Sequence, residues 1–126
     1  MVGMLLAVGT GAALGAWLRW GLSLWLNPLS TVLPLGTLAA NLVGGYAVGL
    51  AVTWFAQHPE WHTSWRLFVI TGLLGGLTTF STFSAEVVGQ LQQGRAGAAL
   101  FTSLAHLAGS LVMTWLGVLT VQALRH

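Results

Sequence analysis

Apolar residues fall in four long stretches along this chain, with short polar segments between them. Each stretch approaches the ~20 residues that an α-helix needs to cross a ~30 Å hydrocarbon layer. Pro28 fits the end of the first stretch and Pro34 the start of the second, because proline stops a helix or occupies its first turn. The pattern predicts an all-α membrane protein with one domain, residues 1–126, built from four transmembrane helices. We place these helices at about residues 4–26, 34–55, 65–91 and 96–121.

Composition supports this prediction and narrows the possible functions. Of the 126 residues, 56% are hydrophobic and 5% are charged, whereas a soluble domain has about 25% charged residues. The surface is therefore expected to face a lipid bilayer. The absence of cysteine excludes disulfides, thiolate nucleophiles and cysteine-based metal sites. A net charge of +2 without clustered basic residues argues against a nucleic-acid partner.

The arginines bear on the orientation of the chain. Four crossings place both chain ends and the second loop on one side of the membrane. Arg66 and Arg125 belong to that side, and Arg19 and Arg95 to the other. Because basic residues near helix ends hold loops in the cytoplasm, this even division predicts insertion in both orientations. Two oppositely inserted copies can then pair as an antiparallel, dual-topology homodimer. The alternative is that one helix dominates the insertion of a weakly charged chain.

Glycines recur at four-residue spacing in the first two helices. Gly11 and Gly15 share one helical face, as do Gly45 and Gly49. Such pairs let helix backbones approach closely in a membrane, and they indicate helix association. They give no information about a transported substrate.

The third stretch contains a segment that forms helix poorly, residues 72–84, in which three glycines precede a Thr-Thr-Phe-Ser-Thr-Phe-Ser run. Glycine and consecutive hydroxyl-bearing residues disfavour a helix interior. We therefore predict a third helix broken at mid-membrane, where freed carbonyls could hold a cation and a helix N-terminus could attract an anion. The alternative is a kinked but continuous helix whose hydroxyls bond to carbonyls one turn earlier.

Polar residues also line up at helical spacing in the second and fourth helices. They are Thr37 and Asn41 in the second, and Thr102, His106, Ser110 and Thr114 in the fourth. A single hydroxyl in a membrane helix usually bonds helices together, whereas a stripe of four favours a polar path. His106 has no second histidine or carboxylate nearby in the sequence, so a zinc site is not expected.

Arg19 lies within the first apolar stretch, where a charged side chain is costly and indicates a functional role. The first two helices contain no acidic residue, so a fixed positive charge facing a wet vestibule would favour anions. Glu86, near the end of the third stretch, is the one carboxylate that we predict to pair with Arg19.

Taken together, these motifs resemble the Fluc (CrcB-type) bacterial fluoride ion channel family, and the resemblance covers all four helices. It rests on Gly11-Ala12-x-x-Gly15-Ala16-x-x-Arg19, on Asn41-x-x-Gly44 and on Gly72-x-x-Gly75-Gly76-x-Thr78-Thr79-Phe80-Ser81-Thr82-Phe83. The Thr-Thr-Phe-Ser-Thr-Phe run is the most specific of these motifs.

The resemblance implies an antiparallel dimer with two pores that exports fluoride passively across the bacterial cytoplasmic (inner) membrane and lowers intracellular fluoride toxicity. It implies a structural sodium ion at the dimer centre, held by the backbone carbonyls of Gly75 and Thr78. It also implies a set of residues along the fluoride pore: Asn41, Phe80, Phe83, Ser81, Thr82, His106 and Ser110.

The two phenylalanines suit a small anion for a physical reason. An aromatic ring has a negative face but positive edges, so its hydrogens can meet an anion without a formal charge. Phe80 and Phe83 are three residues apart and share a helical face. With Asn41 and neighbouring hydroxyls, they could replace the tightly held water of fluoride without binding it too strongly to leave. Ordinary packing is the alternative role for both rings.

Two other functions fit part of the sequence. A small dual-topology multidrug or cation transporter has the same length and helix number, but it needs a carboxylate in the first helix, where this chain has only Arg19. A structural helix-packing subunit would explain the glycines but neither the broken segment nor the polar stripe. An enzyme is not expected, because the sequence shows no paired carboxylates, Ser-His-acid set or phosphate-binding loop.

Overall fold

The computed structural model describes residues Met1–Arg125, and these residues are largely helical. His126 lies outside the described residues. Helix α1 is Val2–Leu26, and α2 is Leu35–Gln57. A 3₁₀ turn at Asn27–Leu29 lies between them and contains Pro28, so proline ends the first helix as its geometry requires.

The third crossing is built from several pieces. Helix α3 (Thr63–Arg66) continues into a π-helical segment (Leu67–Leu74), which is followed by α4 (Gly75–Leu77) and α5 (Phe80–Gln92). The fourth crossing is one helix, α6 (Ala96–Ala123). Within the described residues, four helical segments are long and apolar enough to span a membrane. The prediction of four transmembrane helices is therefore confirmed.

Between α4 and α5 the backbone leaves the helical conformation for two residues. Thr78 has φ −85° and ψ 154°, and Thr79 has φ −151° and ψ 121°, which are extended values. Helical geometry resumes at Phe80. The third crossing therefore contains an extended two-residue segment inside the run of glycine and hydroxyl-bearing residues.

Many large apolar side chains lie on the outer surface, and several polar side chains are buried. Trp17, Leu100 and Leu111 are each more than 60% exposed, whereas Thr37 is 1% and Thr102 0% exposed. Such an outer surface suits lipid or another apolar partner.

The glycines mark two close helix crossings. A Cβ on Gly15 would lie 2.7 Å from the backbone nitrogen of Leu77, and one on Gly72 would lie 2.8 Å from the carbonyl oxygen of Val8. α1 therefore packs directly against the third crossing. α2 packs most extensively on α6, where a Cβ on Gly49 would lie 3.0 Å from the Cα of Gly117. The predicted close approach of helices is confirmed, and it occurs within one chain.

Candidate functional site

Asn41 of α2 binds the extended segment of the third crossing. Its Oδ1 accepts a hydrogen bond from the backbone nitrogen of Thr79 at 2.7 Å, and its Nδ2 donates to the carbonyl oxygen of Thr79 at 3.0 Å. The Thr79 hydroxyl accepts from the backbone nitrogen of Thr82 at 3.1 Å, so it caps the start of α5. The interruption is therefore stabilised by one amide and one hydroxyl side chain.

The same amide fixes the tautomer of His106 on α6. Asn41 Nδ2 lies 3.0 Å from His106 Nδ1, and because an amide nitrogen only donates, Nδ1 accepts. A neutral ring then has its proton on Nε2. This Nε2 is buried and has no hydrogen-bond partner among the described residues. His106 thus presents an N–H donor that the surrounding protein leaves unused.

Two phenylalanines extend from this histidine. The ring centroids of Phe83 and His106 are 4.5 Å apart, and those of Phe80 and Phe83 are 5.5 Å apart with the planes at 68°, an edge-on contact. Phe83 is half-buried, and Phe80 is 79% exposed. The three rings therefore form a continuous row from the interior of the chain to its surface.

These groups surround a cavity of about 280 Å³, called here the first cavity. It brings together Asn41, Phe80, Phe83, His106 and Ser110, all of which belong to the pore set that the family resemblance implies. Its other lining residues are Thr78, Thr79, Leu107 and Leu111, so the lining contains no formally charged side chain. Ser81 and Thr82 are outside the lining: the Ser81 hydroxyl is 3.3 Å from that of Thr79, and Thr82 contributes its backbone nitrogen to the cap.

The interruption redirects the backbone donors of the third crossing. In a continuous α-helix, the carbonyl of Gly75 would accept from the nitrogen of Thr79, and that of Thr78 from the nitrogen of Thr82. Here the Thr79 nitrogen donates to Asn41 and the Thr82 nitrogen donates to the Thr79 hydroxyl. Both carbonyls thus lose the donor that a continuous helix would supply.

Arg19 lies beside the same region. Its Nε donates to the carbonyl oxygen of Gly76 at 3.1 Å, and the guanidinium is not among the groups that line the first cavity. Glu86 instead accepts from the Thr37 hydroxyl through Oε2 at 2.6 Å. The predicted Arg19–Glu86 pair is therefore wrong, because the interrupted helix supplies a carbonyl within reach of the arginine.

The polar stripe of α6 divides into residues with different contacts. The Thr114 hydroxyl donates to the Gly45 carbonyl at 3.0 Å and bonds two helices together. Ser110 and His106 line the first cavity. Thr102 is fully buried, and its hydroxyl has no partner among the described residues. The stripe is thus part helix contact and part cavity lining.

Thr79 is a site residue that sequence reasoning missed, since it was treated only as part of the hydroxyl-rich run. The available signal was its position directly before a helical segment, where threonine is a preferred cap. The partner of its backbone, Asn41, lies 38 positions away in the chain. No local pattern relates these two residues.

Membrane-spanning helices around a polar site at a helix interruption define a multi-pass membrane transport protein. Residues 6–118 match the model of the family described as "CrcB-like protein, Camphor Resistance (CrcB)". The chain belongs to this family.

Several relatives are similar over nearly their whole length. The fluoride-specific ion channel FluC of Thiobacillus denitrificans is 61% identical over 120 residues, which cover 95% of this chain and 97% of that protein. The protein of the same name from Chromohalobacter salexigens is 58% identical over 121 residues, 96% of this chain and 92% of the relative. That from Pseudomonas putida is 55% identical over 120 residues, 95% and 94% of the two chains.

Proposed function

We propose that the chain forms a fluoride-selective channel and is not an enzyme. It lets fluoride leave the cell passively across the cytoplasmic membrane and so lowers intracellular fluoride toxicity. Relatives at 55–61% identity are named fluoride-specific ion channels. The structural observation that supports the proposal is the row of Phe80, Phe83 and His106 along an uncharged cavity. A multidrug or cation transporter would require a carboxylate in such a site, and the first cavity has none.

The lining residues replace the water around fluoride with hydrogen-bond donors of different strength. Ring edges of Phe80 and Phe83 offer weakly positive hydrogens, and the Nε2–H of His106 and the hydroxyl of Ser110 offer stronger donors. The absence of a formal charge keeps binding weak enough for release. Both N–H groups of Asn41 are engaged by Thr79 and His106, so Asn41 serves the path by orienting these two residues.

A second copy of the chain completes the pore. Phe80 is 79% exposed, and the first cavity opens at the chain surface beside it. A ring that coordinates an anion must be shielded from lipid, and a partner chain supplies that cover. The even division of the four arginines favours two copies of opposite orientation. The functional unit is therefore an antiparallel homodimer in the bacterial inner membrane, with its third crossings interrupted at mid-membrane depth.

The residues at the interruption fit the sodium ion that the resemblance implies. Gly75 is exposed and has no side chain to cover its carbonyl, and Thr78 is half-buried. Both carbonyls have lost their helical donors, as described above, and carbonyl oxygens suit a hard monovalent cation. Such an ion would supply positive charge beside these carbonyls. Gly75 and Thr78 would hold it, and Asn41 and the Thr79 hydroxyl keep their carbonyls available.

Ion efflux from liposomes tests the proposed function. Purified protein is reconstituted into liposomes loaded with either fluoride or chloride, and efflux is started with a potassium ionophore that balances charge. We expect rapid fluoride efflux and chloride efflux no faster than from protein-free liposomes. Equal efflux of the two anions would contradict selectivity. Efflux of a cationic dye driven by a proton gradient, without fluoride efflux, would favour the multidrug transporter.

A further inference from the structure

A second cavity of about 250 Å³ lies where the loop between α1 and α2 meets the turn between α5 and α6. The residues that matter for its chemistry are Asn27, Ser30, Thr31, Glu86, Gln90 and Arg95. It is connected to the first cavity through side chains. Glu86 accepts from Thr37, and Thr37 precedes Asn41 by one turn of α2. The two cavities therefore lie along the same polar face of α2.

The inner wall of this second cavity is rich in hydrogen-bond acceptors. Glu86 Oε1 and Gln90 Oε1 are both buried without a partner among the described residues. They are four positions apart on α5 and share one helical face. Gln90 is only 6% exposed. A carboxylate and an amide oxygen in this arrangement repel an anion, so an anion path that includes this cavity requires a compensating positive charge.

Arg95 is the positively charged residue in the lining of the second cavity. Its Nη2 donates to the carbonyl oxygens of Thr31 at 3.1 Å and Val32 at 3.4 Å, and Gln90 Nε2 donates to Val32 at 3.1 Å. Within Met1–Arg125, the guanidinium is therefore hydrogen-bonded to neutral oxygens, which include the side-chain oxygen of Gln93 at 3.4 Å. It is held on the same cavity as Glu86.

We propose that the second cavity is an aqueous opening of the fluoride path and that Arg95 is its charge-balancing residue. The guanidinium offsets the negative potential of the Glu86 carboxylate. A hydrated small anion can therefore enter where the loop between α1 and α2 meets the turn between α5 and α6. Arg95 touches neither phenylalanine of the row described above, and it acts as a positioning residue for the anion through its charge. This inference rests on the proposed function.

The absence of cysteine in this chain permits a direct test of charge at position 95. Arg95→Cys is purified, divided into portions and treated in detergent with a cationic aminoethyl, an anionic sulfonatoethyl or a neutral methyl methanethiosulfonate. All portions are then reconstituted, and fluoride efflux is measured. Because every portion comes from one protein preparation, membrane insertion in the cell is identical for all three. The cationic and anionic adducts have similar lengths, so the comparison of these two separates the effect of charge from that of size.

We expect the cationic adduct to conduct at least about threefold faster than the neutral one, and the anionic adduct to conduct more slowly than both, at low ionic strength. The difference should shrink in high salt, where charges are screened. Glu86→Gln, which keeps an acceptor oxygen for Thr37, should reduce the difference between adducts when combined with Arg95→Cys.

Arg66→Cys is the matched control, because Arg66 is exposed and lines neither cavity. The same three reagents should leave its efflux unchanged. Equal efflux from all three Arg95→Cys adducts would overturn the proposal and leave Arg95 as a structural clasp for the loop. An equal charge effect at position 66 would overturn it as well. Absence of fluoride efflux from the unmodified wild type would instead contradict the proposed function.

Discussion

The side-chain amide of Asn41 binds both backbone polar groups of Thr79, at 2.7 Å to its nitrogen and 3.0 Å to its oxygen. α2 thereby provides the hydrogen bonds to the extended backbone of Thr79 that a neighbouring strand would provide in a β-sheet. Without it, two backbone groups of the half-buried Thr79 would lose these partners, and a polar group that is buried without a partner costs about 1–3 kcal/mol. The interruption and α2 therefore depend on each other.

Replacing Asn41 by aspartate should separate these contacts. Asn41→Asp keeps an acceptor for the Thr79 nitrogen but loses the donor to the Thr79 oxygen and to His106. We expect fluoride efflux to fall by about tenfold or more and the unfolding free energy by about 1–3 kcal/mol. Liposome efflux and thermal unfolding in detergent measure the two effects.

Ser103→Ala is a suitable control for this substitution, since the Ser103 hydroxyl donates to the Ala99 carbonyl of its own helix and Ser103 does not line the first cavity. It should leave efflux unchanged. Wild-type efflux from Asn41→Asp would show that Asn41 has no part in building the path.

The phenylalanines are tested by isoleucine, which keeps apolar bulk but lacks aromatic edges. Phe80→Ile and Phe83→Ile should each lower fluoride efflux about tenfold or more, equivalent to about 1.4 kcal/mol in the barrier, while the oligomeric state is unchanged. Phe101→Ile is the matched control, because Phe101 is 59% exposed on α6 and does not line the first cavity. Efflux within about twofold of wild type for both variants would assign the rings to packing.

The close contact at Gly15, between α1 and the third transmembrane span, predicts that two glycine-to-alanine substitutions in α1 differ in their effect on stability. A Cβ on Gly15 would meet the Leu77 backbone, whereas one on Gly9 would have nothing within 4 Å. Gly15→Ala should lower the unfolding free energy by about 1–3 kcal/mol, and Gly9→Ala should be neutral or slightly stabilising. Unfolding temperatures in one detergent compare them. Equal stability would mean that the crossing can widen freely.

Dual insertion is tested by shifting the charge balance of the chain. Several lysines added after His126 should keep the C-terminus of every copy in the cytoplasm, and lysines added near Ser30 should impose the opposite orientation. Each variant alone should fail to protect cells from fluoride, because antiparallel partners are missing, and co-expression should restore protection. Full protection by one variant with a single orientation, as shown by reporter fusions, would contradict the antiparallel dimer.

The helices and their close approach could be predicted from the sequence, because the length of an apolar stretch and the spacing of its glycines are local properties. The sequence could not identify polar partners, which depend on where the chain becomes extended. Arg19 donates to the Gly76 carbonyl, whereas Glu86 accepts from Thr37. Asn41 looked like an ion ligand, yet its donors are engaged by Thr79 and His106. Both differences arise from the same two extended residues.

The two helix contacts at glycines also limit the order in which the helices can pack while the chain is being made. One glycine contact joins α1 to the third span, and the other joins α2 to α6. Each span therefore pairs with the next but one along the chain. No pair of consecutive spans contains both sides of either contact. When only the first two spans have been made, the glycine faces lack the partners that they have in the structure, and the contact of α1 can form only once the third span is present. The last helix to be made, α6, therefore closes the cavity wall formed by His106 and Ser110.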